Sequence, residues 1–160
     1  MWKEEEKMNR EIKFRGISID EWVYGMLCKV NEGDTEHGEP IKYKIQTDEK
    51  EYGEYVKCFI TDENTIGQYT GLHDENGKEI YEGDIIEFSY DVFTGNFDTK
   101  VGRGTVEFID GAFYIKPFEI EGRKVKDTDN EEWFLLYTVN TDTLEVIGNI
   151  YNNPELLGGE

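Results

Sequence analysis

Cysteine, proline and serine are scarce in this chain, and each scarcity removes a class of explanation. Two of its 160 residues are cysteine and three are proline. Cys28 and Cys58 are too few for a disulfide framework and lack metal-ligand spacing. The serines, Ser18 and Ser89, lie outside any Gly-x-Ser-x-Gly nucleophile turn. No Gly-rich phosphate cradle opens a helix. Basic residues are in deficit: 17 Lys and Arg stand against 36 Asp and Glu, a formal net charge of −19. Phosphate contacts need clustered Lys and Arg, so direct nucleic-acid binding is not expected. No apolar run approaches the roughly 18 residues of a membrane helix. The opening MWKEEEK has no apolar stretch of the kind a signal peptide carries. The expectation is a reduced, cytoplasmic protein without a membrane partner, and with residues 1–7 as a flexible extension ahead of Met8.

What is present is aromatic and strand-forming. Three Trp, ten Tyr and nine Phe supply large buried areas. A chain near this length buries about 68–70% of its unfolded surface, enough to fold without disulfides or metal. Ile12 and Phe14 alternate with Glu11, Lys13 and Arg15, the period of a half-buried strand. Residues 22–30 are β-rich, and Ile41, Tyr43 and Ile45 alternate with Lys42, Lys44 and Gln46. Residues 48–60 read two ways. Tyr52, Tyr55, Val56 and Phe59 have helical spacing, while YVKCFI suits a strand, which is preferred for 55–60. Further strands are expected at 67–72, 79–81, 85–90, 105–109, 112–117, 133–139 and 144–147. Asp110-Gly111 marks a tight hairpin turn. Thr94-Gly95-Asn96 tips a loop over 91–102, and 119–132 is a charged excursion. Asn153 and Pro154 are the N-cap and first residue of a terminal helical turn. Short strands at this spacing indicate a mainly β barrel or sandwich.

Chemistry-bearing constellations are thin. His37 and His73 sit in different polar loops, and a metal-assisted hydrolase would need them gathered with carboxylates. Asp127-Thr128-Asp129-Asn130-Glu131 lacks the glycine and distal Glu of a calcium loop. Asp74-Glu75-Asn76-Gly77 is explained by a turn. The acidity is greater after residue 67, with 7 basic and 20 acidic residues against 10 and 16 before it. It reads first as a solvated surface and second as mimicry of DNA charge, aimed at a nucleic-acid-binding partner. Trp22, Tyr24, Tyr69, Phe113 and Trp133 read as core before they read as a stacking platform.

Four segments resemble the YopX family of phage and prophage proteins. They are Arg-Glu-Ile-Lys-Phe-Arg-Gly at 10–16, Trp-Val-Tyr-Gly at 22–25, IGQYTGLHDENGKEIYEGDI at 66–85 and VIGNIYNNPELL at 146–157. The resemblance implies an accessory protein of the phage-bearing host cell, without established enzymatic activity, and carries no catalytic, cofactor or metal residues. The alternation GDIIEF, then GTVEF, then AFYI looks like a small SH3-like barrel. The expected organisation is an N-terminal β subdomain over 8–64, packed on an SH3-like barrel over 65–157, with a tail at 158–160. Arg15, Gln68, Tyr69 and Thr70 are polar-capable residues within these segments and form the candidate interaction surface. The expected partners are a second copy of the chain, forming a homo-oligomer, or a host or phage protein.

Overall fold

Period-two alternation is expressed, among the described residues, as twelve strands in two antiparallel sheets. The computed structural model describes residues 11–30, 42–51, 55–93, 95–125 and 133–157. The first sheet holds β1 (Phe14–Ser18), β2 (Glu21–Val30), β3 (Lys42–Glu51), β4 (Tyr55–Thr61), β5 (Gly67–His73) and β6 (Glu79–Tyr81), in the order β4-β3-β2-β1-β5-β6. The second holds β7 (Asp84–Phe93), β8 (Phe97–Ile109), β9 (Ala112–Ile120), β10 (Arg123–Lys124), β11 (Phe134–Leu135) and β12 (Leu144–Asn149). Its order is β10-β9-β8-β7-β12, with β11 also on β9. The strand preferred for 55–60 is β4. The expected extension 1–7, residues 31–40 with His37, residues 127–131 and the expected tail 158–160 lie outside the described residues.

The main core lies on the second sheet. Ile86, Phe88, Val106, Ile115, Leu136, Val139, Leu144 and Val146 pack together, joined by Ile80 from β6. The first sheet buries Ile45 beside Gly16 and Thr61. Asp110 and Gly111 both take positive φ, 50° and 86°, as a tight turn with the twist of its flanking strands requires.

Three expectations are corrected. The charged excursion over 119–132 is in its described part a hairpin, with β9 running to Ile120 and β10 pairing back on it. The segment 133–139 is a strand only at Phe134–Leu135; Leu136–Thr138 is a 3-10 turn. The reason is spacing: Leu136 and Val139 are both buried, and residues three apart cannot share one face of a strand. The segment 91–102 is not an open loop. β7 runs to Phe93 and β8 starts at Phe97, held by Phe93 against Phe97 and by the Thr99 hydroxyl donating to Asp91 at 2.8 Å. The terminal turn is a 3-10 turn over Pro154–Leu157, with Leu156 N–H donating to Asn153 O.

The two sheets are joined at the β5–β6 turn. Asp74 accepts from Asn76 and Lys78 N–H within the turn, and from Val146 N–H on β12 at 3.0 Å. Glu75 N–H donates to Leu144 O and Lys78 Nζ to Val146 O. The outer edge of β12 is thereby occupied.

Candidate functional site

The signature residues converge on a buried ion pair. Arg15 on β1 faces Tyr24 on β2 and Gly67 on β5. Its guanidinium lies between the rings of Trp22 and Tyr81, 4.6 and 4.9 Å from their centroids. One end meets Asp84 Oδ1 at 2.6 Å and also donates to Glu82 O at 3.2 Å. Arg15 Nε is buried without a hydrogen-bond partner among the described residues. Asp84 is 1% exposed, and its second oxygen accepts from Tyr81 N–H at 2.8 Å. Burial pushes the Asp84 carboxyl up, and the guanidinium pulls against it. Breaking such a buried pair by removing one partner costs about 3–5 kcal/mol, which makes this a structural clasp between the sheets. Gly67 permits it: a Cβ there would stand 2.5 Å from the Glu82 carbonyl oxygen that Arg15 uses.

An aromatic layer surrounds the pair. Tyr81 contacts Tyr24 and Tyr69 at 5.6 and 5.3 Å between centroids, and Trp22 contacts Tyr151 at 6.0 Å. The Tyr81 hydroxyl donates to Glu79 Oε2 at 2.8 Å; burial, then this bond, pushes the phenol well up. Lys13 pairs with Glu79 and lies 5.0 Å from the Tyr69 ring. Of the five aromatics singled out in sequence, Trp22, Tyr24 and Tyr69 thus gather here. Phe113 packs on Phe108, and Trp133 lies against Tyr114 with Lys116 above its ring.

Arg15, Tyr69 and Thr70 are buried. Thr70 donates to Ile80 O, while half-buried Gln68 accepts from Glu82 N–H through its backbone oxygen. His73 is within 3.4 Å of the Tyr69 hydroxyl. No group of three or more His, Cys, Asp or Glu among the described residues could hold a metal ion. No helix among the described residues is long and apolar enough to cross a membrane.

A groove of about 660 Å³ opens beside the clasp, with Glu82, Glu107, Phe108, Phe118, Ile150 and Tyr151 in its walls. Burial pushes the Glu82 carboxyl up, Gln68 and Phe108 N–H groups pull it down, and the Glu107 charge adds to the rise. Acidic residues on the second sheet are interrupted by cations. Glu87, Arg103 and Glu119 form one cross-strand row, and Arg103 reaches Glu87 at 2.9 Å and Glu119 at 3.7 Å.

The second feature is a projecting arm. β12 pairs with β7 no further than Phe88, and β9 pairs with β8 no earlier than Gly102. Among the described residues, 91–93 and 97–99 pair only with each other, while at the base of the arm Val101 O accepts from Glu121 N–H and Ser89 O from the Thr143 hydroxyl. At the tip Phe93 and Phe97 touch, 5.2 Å between centroids, yet are 67% and 81% exposed. The signal for this arm was in the sequence, as Phe-x-x-x-Phe spanning a Thr-Gly-Asn turn.

A protein from Enterococcus faecalis, EF1440, is similar to the chain at 23% identity and a TM-score of 0.47, covering 92% of this chain and 98% of that one. No curated protein matches the chain significantly. The family model described as YopX protein matches residues 13–158.

Proposed function

The chain belongs to the YopX family, and on that footing we propose that it is a non-enzymatic phage or prophage accessory protein acting through protein–protein contact. The projecting arm carries this reading. A solvated pair of phenylalanines at the end of a two-stranded ribbon contributes little to folding, because an isolated hairpin is marginal in water. Clustered exposed aromatics are what a binding surface uses as anchors. The ionisable groups around Arg15 also support it, since they are engaged in one another. The arm is the contacting element, and its partner contributes an apolar pocket.

The test compares the wild type with Phe93→Ser/Phe97→Ser as bait in a bacterial lysate, at about 0.1 and about 0.5 M salt, since screening separates charge-driven from apolar contact. A partner held at both salts by the wild type and lost by the variant, whose thermal midpoint is unchanged, is the expected result. A partner held equally by the variant and released at the higher salt would overturn it in favour of charge mimicry.

A further inference from the structure

Most outer strands of the two sheets are short or occupied. β6 and β10 are three and two residues long. The outer edge of β12 takes the bonds of Asp74, Glu75 and Lys78. The arm has open edges, but each of its strands carries an acid, Asp91 and Asp98. β4 differs. It pairs with β3 along one edge, and no described strand pairs with the other. Its residues Tyr55–Thr61 include no acid, no proline and a single charge, Lys57, which reaches back to Glu49 at 2.8 Å. Proteins usually guard an open edge with charge, proline or a bulge on the edge strand itself. The irregularity here lies on β3, between Gln46 and Lys50, where β3 advances four residues for two on β4.

The face beside this edge is apolar and exposed. Register aligns Met26, Gln46 and Cys58 in one cross-sheet row, and Ile60 falls on the same face two residues on. Met26 is 61% and Ile60 52% exposed, and Cys58 is an exposed free thiol.

We propose that two copies of the chain pair antiparallel through β4, about a two-fold axis at Cys58. Charge selects the occupant. A chain of net charge −19 repels its own copy wherever acids face acids. Seven acid-free residues with an open edge offer hydrogen bonds where that repulsion is weakest. With the axis at Cys58, residue 57 stands opposite residue 59 of the second copy and residue 56 opposite residue 60, so the two Lys57 residues do not face each other. A two-fold interface requires this self-complementarity. The axis brings the two Cys58 residues directly opposite. Opposed residues in an antiparallel pair have Cα atoms about 4.5–5.5 Å apart, within the roughly 4.4–6.8 Å that a disulfide spans. Pairing over 56–60 leaves the strand's end undisturbed, where Thr61 is buried and Asp62 N–H donates to Ile17 O.

The test uses the full chain at micromolar concentration. Under reducing conditions, sedimentation equilibrium is expected to give twice the monomer mass for the wild type and for Cys58→Ser. It is expected to give a twofold lower mass for Cys58→Asp, which sets two carboxylates face to face on an exposed site. Diamide, which takes up the two thiol hydrogens, is expected to lock the wild type and Cys28→Ser into a dimer on a non-reducing gel, and to leave Cys58→Ser unlinked. A reduced wild type at monomer mass overturns the proposal, as does a Cys58→Asp dimer or a wild-type dimer that diamide leaves unlinked. The pairing is separable from the arm: Phe93→Ser/Phe97→Ser keeps the doubled mass if β4 is the interface.

Discussion

Asp74 caps a turn and, with the same carboxylate, closes the edge of a distant strand. Its three backbone donors come from Asn76, Lys78 and Val146. Burial pushes this carboxyl up, but the N–H groups more than offset that, and it sits below the ordinary carboxylate range. A carboxyl lowered in the folded state stabilises above its unfolded value, near 4, and loses that contribution as pH falls through the folded value. Asp84 and Glu82, both raised by burial, act in the opposite direction, so the wild-type profile is a sum. The difference between wild type and Asp74→Asn isolates one carboxylate. Urea melts are expected to put the variant about 1–3 kcal/mol below the wild type at neutral pH. The gap is expected to close as pH drops below about 4. A gap independent of pH would mean that the side chain acts through shape and not charge.

At the scale of elements, the turns carry most of the decisions. The β1–β2 turn places Ile19 at φ 48° and Asp20 at φ 66°, with Ile19 94% exposed. A β-branched residue there meets the left-handed penalty of roughly 1–2 kcal/mol and recovers nothing by burial. Ile19→Asn is therefore expected to raise stability by about 1 kcal/mol, read as an upward shift of the urea midpoint at unchanged slope. An unchanged or lower midpoint would show that the isoleucine has a contact that compensates it. The same local physics decides what was legible in the sequence. The Asp110-Gly111 turn, the alternation of β3 and the Asn153-Pro154 start are set by neighbours in sequence, and they read directly. The segment 133–139 misleads because Leu136 and Val139 take their positions from the core of β7, β9 and β12. The ribbon of 91–99 was obscured by its polar residues, because its pairing is not driven by burial.

The clasp was only half legible. Arg15 stood out within a signature segment, but nothing local singled Asp84 out among the 36 acids, because its partner comes from 69 positions earlier in the chain. The whole molecule carries net charge −19, and its exposed ion pairs, such as Lys57–Glu49 and Lys100–Glu121, are screened by solvent and contribute little. Self-repulsion therefore outweighs them. Raising sodium chloride from about 0.02 to about 0.5 M, which shortens the screening length severalfold, is expected to raise the urea midpoint. A falling midpoint would mean that local attraction dominates instead.

The β12 joint also bears on the order of synthesis. Val146 reaches Asp74 across 72 positions, and the Tyr151 hydroxyl reaches Asn64 O across 87. On a ribosome, β7 emerges long before the strand that covers its other edge. Until residues 144–151 leave the exit tunnel, the Asp74 carboxylate has no Val146 to receive and β7 presents a bare edge. A nascent chain stalled before residue 144 would therefore keep that edge of β7 bare, because the strand that covers it follows β8 to β11 in the chain.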